Sequence, residues 1–239
     1  MKVLVIPDIH LKPWIIEKAS EAMKKGAAEK AVCLMDIPDD WNQEFNLELY
    51  IETFDVAIQF AEDHPETLWC WGNHDLSYVW GMTESGFSWF AQNTAATKLA
   101  KLQSNLPDMN QLAYLHRIDN VLFCHGGLTD FFVWKHTDPS EYDDIDTVIR
   151  KINRLDCEDM WNNDSPIWFR PQYNRTIKMY KQKKLLQVVG HTPVKDIEKT
   201  DNFLSCDVFS TYRNGEPIGS QVFPVVDTNT CEFYSMTSK

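Results

Sequence analysis

The stretch LWCWGNHDLSYVW, residues 68–80, begins as an apolar run of the kind that fills the interior of a β-sheet. The run stops at Gly72 and is followed directly by Asn73, His74 and Asp75, three side chains that can bind a metal ion or move a proton. Because Asn and Asp also favour the start of a helix, a simple helix cap is the alternative interpretation. Which of the two applies depends on how the other strands of the chain end.

The composition limits the class of protein. With 239 residues, 44% of them hydrophobic, the chain can build one α/β domain with a sizeable core. The formal net charge of -12 argues against stable binding of duplex nucleic acid, because that affinity comes mostly from Lys and Arg that neutralise phosphates. A small anionic substrate is still compatible with this charge if local cations hold it.

The cysteines and the N-terminal residues indicate a compartment. None of the six cysteines forms a CxxC pair, and several lie in apolar runs, which favours a reduced environment. The apolar run at residues 2–6 is too short for the core of a signal peptide, and no segment has the unbroken apolar length of a membrane span. The sequence therefore predicts a soluble, cytoplasmic protein without membrane contact, and it does not predict an oligomeric state.

Strand-like apolar runs alternate with amphipathic helical segments, which is the pattern of an α/β fold. Five of the runs are KVLVI (2–6), KAVCLM (30–35), TLWCW (67–71), NVLFC (120–124) and LLQVV (185–189). The region 136–184 is acidic at first and basic at its end, and it interrupts the alternation between two strands. We interpret it as a lid or insertion within a single domain that spans residues 1–239.

Each of these five runs ends in side chains suited to metal binding or proton transfer. In chain order, the end residues are Asp8 and His10, Asp36 and Asp39, Asn73 to Asp75, His125, and His191. Ligands of open α/β sheets bind at the carboxyl ends of strands, so the five clusters are expected to converge on one crevice. Loop histidines, helix starts and glycine turns are ordinary alternatives for single clusters, but all of them would have to hold at once.

The order of these residues resembles a known family. The motifs are Asp8-x-His10, Asp36-x-x-Asp39, Gly72-Asn73-His74-Asp75, His125-Gly126-Gly127 and Gly190-His191-Thr192. Together they resemble the calcineurin-like metallophosphoesterases, and GNHDLSY (72–78) with IWFRP (167–171) is similar to the small phage and bacterial serine/threonine-type phosphatases. The resemblance implies a four-layer αββα sandwich, with two mixed β-sheets and a dinuclear metal site at the carboxyl ends of the strands.

The resemblance also implies two divalent metal ions. Asp8 and His10 alternate on a segment expected to be extended, so both can hold the first ion, and Asp36 can bridge because a carboxylate has two oxygens. Mixed imidazole, carboxylate and amide ligands suit manganese, which we expect, or iron or zinc. The implied ligands are Asp8, His10, Asp36, Asn73, His125 and His191.

His74 resembles the general acid of the family, and Asp39 is then the group that accepts its ring N–H. In the implied reaction, a hydroxide that bridges the metal ions attacks phosphorus, and His74 protonates the leaving oxygen. A purely structural hydrogen bond is the alternative role for His74.

The sequence departs from the family pattern at three positions. Met35 replaces the glycine that usually precedes the bridging aspartate, and Pro193 stands where many relatives have a second histidine. Asp40 occupies the position of an arginine that binds phosphate in the protein phosphatases, which predicts a greater tolerance of diesters. Arg170 matches the arginine that small phage-type phosphatases bring to the phosphate, although a surface arginine packed over neighbouring aromatic rings is the alternative.

These observations favour a phosphatase that acts on a phosphorylated small molecule, nucleotide or phosphoprotein. One alternative enzyme is a phosphodiesterase or a pyrophosphohydrolase of nucleotides and dinucleoside polyphosphates. An alternative of another class is a catalytically inactive scaffold that binds metal and serves as an interaction module. His74 and Asp39 argue against the scaffold, because a scaffold needs metal ligands but no general acid.

Overall fold

Strand β1, Lys2–Ile6, shows how the chain builds layers. Val3 and Val5 pack between two β-sheets, while Leu4 and Ile6 face the opposite side and pack with residues of the helices. Successive side chains of a strand point to opposite faces, so an unbroken apolar run marks a strand that is covered on both sides. The computed structural model describes residues 1–237, which form eleven strands and seven α-helices.

The strands form two mixed sheets. Their bounds are β1 Lys2–Ile6, β2 Lys30–Cys33, β3 Leu68–Cys70, β4 Leu112–Ala113, β5 Leu115–Ile118, β6 Val121–Cys124, β7 Leu186–Val189, β8 Glu198–Lys199, β9 Phe203–Ser205, β10 Val222–Asp227 and β11 Phe233–Thr237. The first sheet has the order β11-β10-β1-β2-β3-β4, and β1 to β4 are parallel neighbours. The second sheet has the order β5-β6-β7-β9-β8, in which β6, β7 and β9 run parallel. The carboxyl ends of β1, β2 and β3 in one sheet and of β6 and β7 in the other carry the predicted site.

Helices cover the outer faces of both sheets. Their bounds are α1 Pro13–Lys24, α2 Leu47–Asp63, α3 Asn73–Trp80, α4 Gln92–Asn105, α5 Asp130–His136, α6 Ile145–Ile152 and α7 Cys157–Met160. Helix α1 starts with Pro13, whose fixed φ suits the first helical position, and it buries Ile15, Ile16, Ala19 and Ala22. Helix α2 is capped by Asn46, which accepts from the Leu49 N–H. The helix therefore begins well after the cluster of Asp36 and Asp39, and a helix start, one of the ordinary alternatives for a single cluster, is wrong for this one. Within residues 1–237, every helix is too short or too polar to cross a lipid bilayer.

The region 136–184 lies in the connection between the parallel strands β6 and β7. It contributes Val148, Ile152 and Met160 to the hydrophobic core, so much of it is part of the packed structure. Its later part brings Trp168 and Arg170 to the cleft described below. The lid interpretation stays a prediction.

His116 on β5 makes stability depend on pH. Its side chain is buried, and its Nε2 lies 3.0 Å from the Trp69 carbonyl oxygen, to which it donates. Burial lowers the pKa of His116 from 6.5 to about 4, because the interior disfavours the charged ring. The folded-state pKa is the lower one, so this contribution is fully present above the unfolded pKa and is lost as pH falls from 6.5 towards 4.

We expect His116→Gln, which can still donate to Trp69 but cannot titrate, to flatten the acid decline of stability. Between about pH 7 and pH 5, the free energy of unfolding should fall by about 2 kcal/mol less in the variant than in the wild type. Urea unfolding of the metal-free proteins at the two pH values measures this difference. Parallel declines would show that His116 does not control the acid stability.

Candidate metal centre and active site

The start of helix α3 places the side chains of the opening motif. Asp75 accepts N–H groups from Asp36 and Ile37 at 2.8 and 3.0 Å, and so ties the helix to the loop after β2. Asn73 and His74, at the first two positions of α3, line the cleft. The two interpretations of this stretch therefore hold together, since it begins a helix and also lies at the candidate site.

Asp36 occupies the centre of the cluster. Its Oδ1 accepts the backbone N–H of His74 at 2.9 Å. Its Oδ2 lies 3.1 Å from His125 Nε2 and 3.9 Å from His10 Nε2. This oxygen therefore stands between two groups of imidazoles, which is where a carboxylate shared by two cations has to lie.

One group of candidate metal-ligand atoms surrounds His125. Its Nδ1 donates to the Leu34 carbonyl at 2.9 Å, which leaves the Nε2 lone pair directed at the site. That Nε2 lies 3.0 Å from Asn73 Oδ1 and 3.2 Å from His191 Nδ1. Asp36, His125 and His191 together form one of two groups whose ligand atoms could hold a metal ion.

The second group consists of His10, Asp36 and His74. His10 Nδ1 donates to the Asp39 carbonyl at 2.9 Å, so its Nε2 is left to face the group. The backbone at His10 has φ +44°, and the expectation of an extended segment from Asp8 to His10 is wrong. Asp8 lies next to His191, because its Oδ2 accepts the His191 N–H at 2.8 Å.

The donor chemistry fits divalent cations. Asp8 Oδ1 and His191 Nε2 are buried and have no hydrogen-bond partner anywhere in residues 1–237. Burial raises the pKa of Asp8 well above its ordinary value, and neighbouring Asp207 and Asp36 raise it further. Burial would raise the pKa of Asp36 as well, but the surrounding imidazoles lower it on balance. Carboxylates gathered in a buried site without cations are costly, and metal ions would remove that cost.

Two glycines leave room for the carboxylates. A Cβ atom at Gly72 would lie 2.0 Å from Asp36 Oδ1, and one at Gly190 would lie 2.0 Å from Asp8 Oδ1. Any other residue would push a proposed metal ligand aside. These glycines stand before Asn73 and His191 because the backbone must approach the carboxylates closely.

The backbone is left-handed at several site positions. The φ angles are +58° at Met35, +43° at Asp36, +68° at Asp39 and +61° at His191. Non-glycine residues adopt such angles at a cost of about 1–2 kcal/mol each, and such strain concentrates at functional sites. Met35 therefore carries strain that glycine would avoid, while its fully buried side chain fills the core.

Asp39 holds the ring of His74. His74 Nδ1 lies 2.9 Å from Asp39 Oδ2 and donates to it, since a carboxylate can only accept. The other oxygen, Oδ1, accepts the hydroxyls of Tyr50 and Tyr78. Burial would lower the pKa of His74, but Asp36, Asp39 and Glu84 outweigh burial and raise it to about 10.

Glu84 is a site residue that the sequence analysis did not identify. Both of its carboxylate oxygens accept from Asn73 Nδ2, at 2.8 and 2.7 Å. This fixes the amide so that Asn73 Oδ1 faces the donors around His125. Burial raises the pKa of Glu84 to about 7. The segment that contains it, TESG (83–86), has no sequence pattern that predicts this role, because the partner of Glu84 is Asn73, eleven positions earlier in the chain.

Glu84→Ala is expected to lower metal affinity about 10- to 100-fold, the usual effect of removing a group that orients a ligand. The amide of Asn73 would then be free to turn its NH₂ group toward the cations. Manganese titration against a competing chelator measures the loss. Glu52→Ala, at an exposed position of α2, is the matched control, and equal affinity in the two variants would contradict the role of Glu84.

Arg170 and Asp40 both line the cleft. Arg170 Nη1 donates to the His191 carbonyl and to Thr192 Oγ1, so this arginine is anchored beside a candidate metal ligand and does not lie free on the surface. Asp40 Oδ2 pairs with the nearly buried Lys12 Nζ at 2.8 Å. Lys12 offsets the negative charge of Asp40. The sequence analysis did not predict this ion pair.

Asp207, which follows β9, is buried and lines the same cleft. Its carboxylate accepts from the Ser210 hydroxyl at 2.8 Å, and burial raises the pKa of Asp207 to about 6. Its negative charge helps to raise the pKa of the neighbouring Asp8. The predicted metal ligands, His74, Asp39 and Arg170 are thus all brought to one region of the fold.

The family model of calcineurin-like phosphoesterases matches residues 1–216. The chain therefore belongs to the calcineurin-like phosphoesterase family, and it is a hydrolase that acts on phosphate ester bonds. This confirms the family and the layered fold that the strand-end motifs predicted. No match was found among curated protein sequences.

Solved structures show the same fold at low sequence identity. A cold-active protein-tyrosine phosphatase of the psychrophile Shewanella sp. is 15% identical with a TM-score of 0.62, and the match covers 99% of this chain and 80% of that chain. A protein of Thermus thermophilus, TT1561, is 10% identical with a TM-score of 0.50, covering 100% and 99%. At such identities the similarity concerns the fold alone.

Proposed function

We propose that the protein is a metal-dependent phosphatase in which His74 acts as the general acid. The observation that carries the proposal is the placement of His74. Its ring is held by Asp39 at 2.9 Å, and its centroid lies 5.1 Å from that of His10, beside the acidic centre. A protonated imidazole at this point can deliver a proton to a leaving oxygen at the metal centre.

Two divalent ions, manganese being our proposal and iron or zinc the alternatives, would offset phosphate charge and supply hydroxide near neutral pH. Asp36, which stands between the two imidazole groups, would contact both ions. The remaining proposed ligands are Asp8, His10, Asn73, His125 and His191. Asn73 would offer its Oδ1, because Glu84 holds its amide nitrogen.

Side chains of the protein position the general acid and bind the phosphate. Asp39 holds the imidazole of His74 in position and favours its charged form, and the hydroxyls of Tyr50 and Tyr78 hold Asp39. Arg170 would bind the phosphate oxygens, since its guanidinium is anchored at the cleft wall by His191 and Thr192. The leaving group of the ester would lie next to His74, which donates a proton to the leaving oxygen.

The environment of Asp40 removes the reason to expect a greater tolerance of diesters. The expectation of diester tolerance depended on an unpaired negative charge near the phosphate. Lys12 pairs with that carboxylate at 2.8 Å, and the side chains of Lys12 and Asp40 are only 10% and 19% exposed. The cation offsets the repulsion that a phosphomonoester dianion would otherwise meet.

A substrate panel tests the proposal. The manganese-loaded protein is assayed on phosphomonoesters, phosphodiesters and dinucleoside polyphosphates, with metal-free protein as the control. Preferential hydrolysis of monoesters is expected. Preference for diesters or anhydrides would favour the phosphodiesterase or pyrophosphohydrolase, and bound metal without hydrolysis of any ester would favour the scaffold. We place the activity in the cytoplasm, on small phosphorylated molecules, nucleotides or phosphoproteins.

A further inference from the structure

Aromatic side chains line the same cleft as His74, and the cleft has a volume of about 720 Å³. Trp41 follows Asp39 by two residues, so their Cα atoms are at most about 7 Å apart. On another loop, a Cβ atom at Gly86 would lie 3.8 Å from His74 Cε1, and Phe87 comes next in the chain. Trp41 and Phe87 both line the cleft. Both residues thus lie close in the chain to positions that adjoin the His74 ring, Trp41 to Asp39 and Phe87 to Gly86.

Trp41 is exposed and yet fixed in position. It is 48% exposed, but its Nε1 donates to the Thr211 carbonyl at 3.0 Å. The Arg213 guanidinium lies 5.9 Å from the centre of the Trp41 ring, and Asn42 Nδ2 donates to the Arg213 carbonyl at 3.2 Å. Two loops thus hold a large apolar ring at the mouth of the cleft.

Phe87 is held as well. Its ring stacks on Tyr78 with centroids 4.5 Å apart, and Tyr78 in turn donates to Asp39. A preformed aromatic surface gains most from a flat partner, because offset stacking and edge contacts need a planar π-system. An aliphatic group of the same size would gain only the burial of its apolar area.

We propose that Trp41 and Phe87 select phosphate esters whose leaving group carries a planar aromatic ring. This inference rests on the proposed role of His74, which fixes the side of the cleft that the leaving group occupies. The ring can belong to a tyrosyl side chain, a nucleoside or a small aryl alcohol, and these share the same recognition chemistry.

The test compares benzyl phosphate with cyclohexylmethyl phosphate, two primary alkyl esters of similar size and leaving-group basicity. The wild type should favour the benzyl ester in kcat/KM by roughly three- to tenfold. Trp41→Leu should bring this ratio close to one, while Trp41→Phe, which keeps a ring, should retain most of it. Trp134→Leu is the matched control, since this exposed tryptophan lies on α5 outside the cleft lining and stacks on Tyr142.

Binding provides a readout that does not depend on turnover. The dissociation constants of benzylphosphonate and cyclohexylmethylphosphonate, measured by calorimetry, should differ in the wild type and converge in Trp41→Leu. If the wild type hydrolyses both esters with equal efficiency, the aromatic selection is wrong while the phosphatase proposal stands. If the metal-loaded wild type hydrolyses neither ester, the proposed function fails, and this inference fails with it.

Two further pairs distinguish the source of the ring. Each pair is read as the change in its kcat/KM ratio between the wild type and Trp41→Leu. A change for AMP against ribose 5-phosphate points to a nucleoside, and a change for phosphotyrosine against phosphoserine peptides points to a tyrosyl substrate. The benzyl pair alone decides whether aromatic selection exists, so an unchanged benzyl ratio in Trp41→Leu would overturn the proposal, and the other two pairs only identify the source of the ring.

Discussion

Asp36→Asn is expected to abolish metal binding and hydrolysis together. Asp36 Oδ2 lies between His125 Nε2 at 3.1 Å and His10 Nε2 at 3.9 Å, so it is placed to contact both proposed ions. Asparagine keeps the size of the side chain but removes the charge that offsets two dications. The catalytic contribution of such ions is several kcal/mol, so kcat/KM should fall by about 10³-fold or more.

Elemental analysis after gel filtration decides this prediction. The wild type should carry about two metal equivalents per chain, and Asp36→Asn fewer than one. Asp146→Asn is the matched control, because this aspartate is exposed and pairs with Arg117 at the surface. Two retained ions in Asp36→Asn would show that the proposed ligand set is wrong.

His74→Asn is expected to keep both metal ions and to lose turnover. Loss of a general acid lowers the rate by roughly 10²–10⁴-fold for esters with poor leaving groups. The loss should be much smaller for p-nitrophenyl phosphate, because p-nitrophenolate leaves without a proton. A plot of log kcat/KM against leaving-group pKa should therefore be steeper for the variant than for the wild type.

The metal content of His74→Asn tests a competing role. His74 lies with His10 and Asp36 in a group whose atoms could themselves hold a metal ion. If the variant loses one ion, His74 is a ligand. If it keeps both ions but kcat/KM falls equally for esters with good and poor leaving groups, His74 is not the general acid. Asp39→Asn is expected to change the leaving-group dependence in the same direction, because it releases the His74 ring.

The tail of the chain shows one limit of the sequence. The turn signals after Asn202 predict two or three antiparallel strands. In the structure β10 and β11 join β1 in the first sheet, while β9 pairs parallel with β7 in the second sheet. Periodicity marks a segment as a strand, but the choice of neighbour depends on packing between distant segments.

The strand layers and the location of the site can be recognised from the amino-acid sequence. Unbroken apolar runs identify strands covered on both faces, and the polar residues that follow them are brought to one edge by parallel pairing. Asp36, Asn73, His125 and His191 could be found in this way, because each follows its own strand. The glycines before Asn73 and His191 belong to the same local signal, since only a residue without Cβ fits there.

The groups that support these residues can be identified only in the folded protein. Glu84 holds Asn73, the hydroxyls of Tyr50 and Tyr78 hold Asp39, and Lys12 pairs with Asp40. Tyr50 illustrates the reason: it lies in the apolar stripe of α2, and no pattern reveals where its buried hydroxyl finds an acceptor. Periodicity specifies the face on which a side chain lies. The partner of a buried polar group is set by the packing of segments far apart in the chain, where each donor must meet an acceptor.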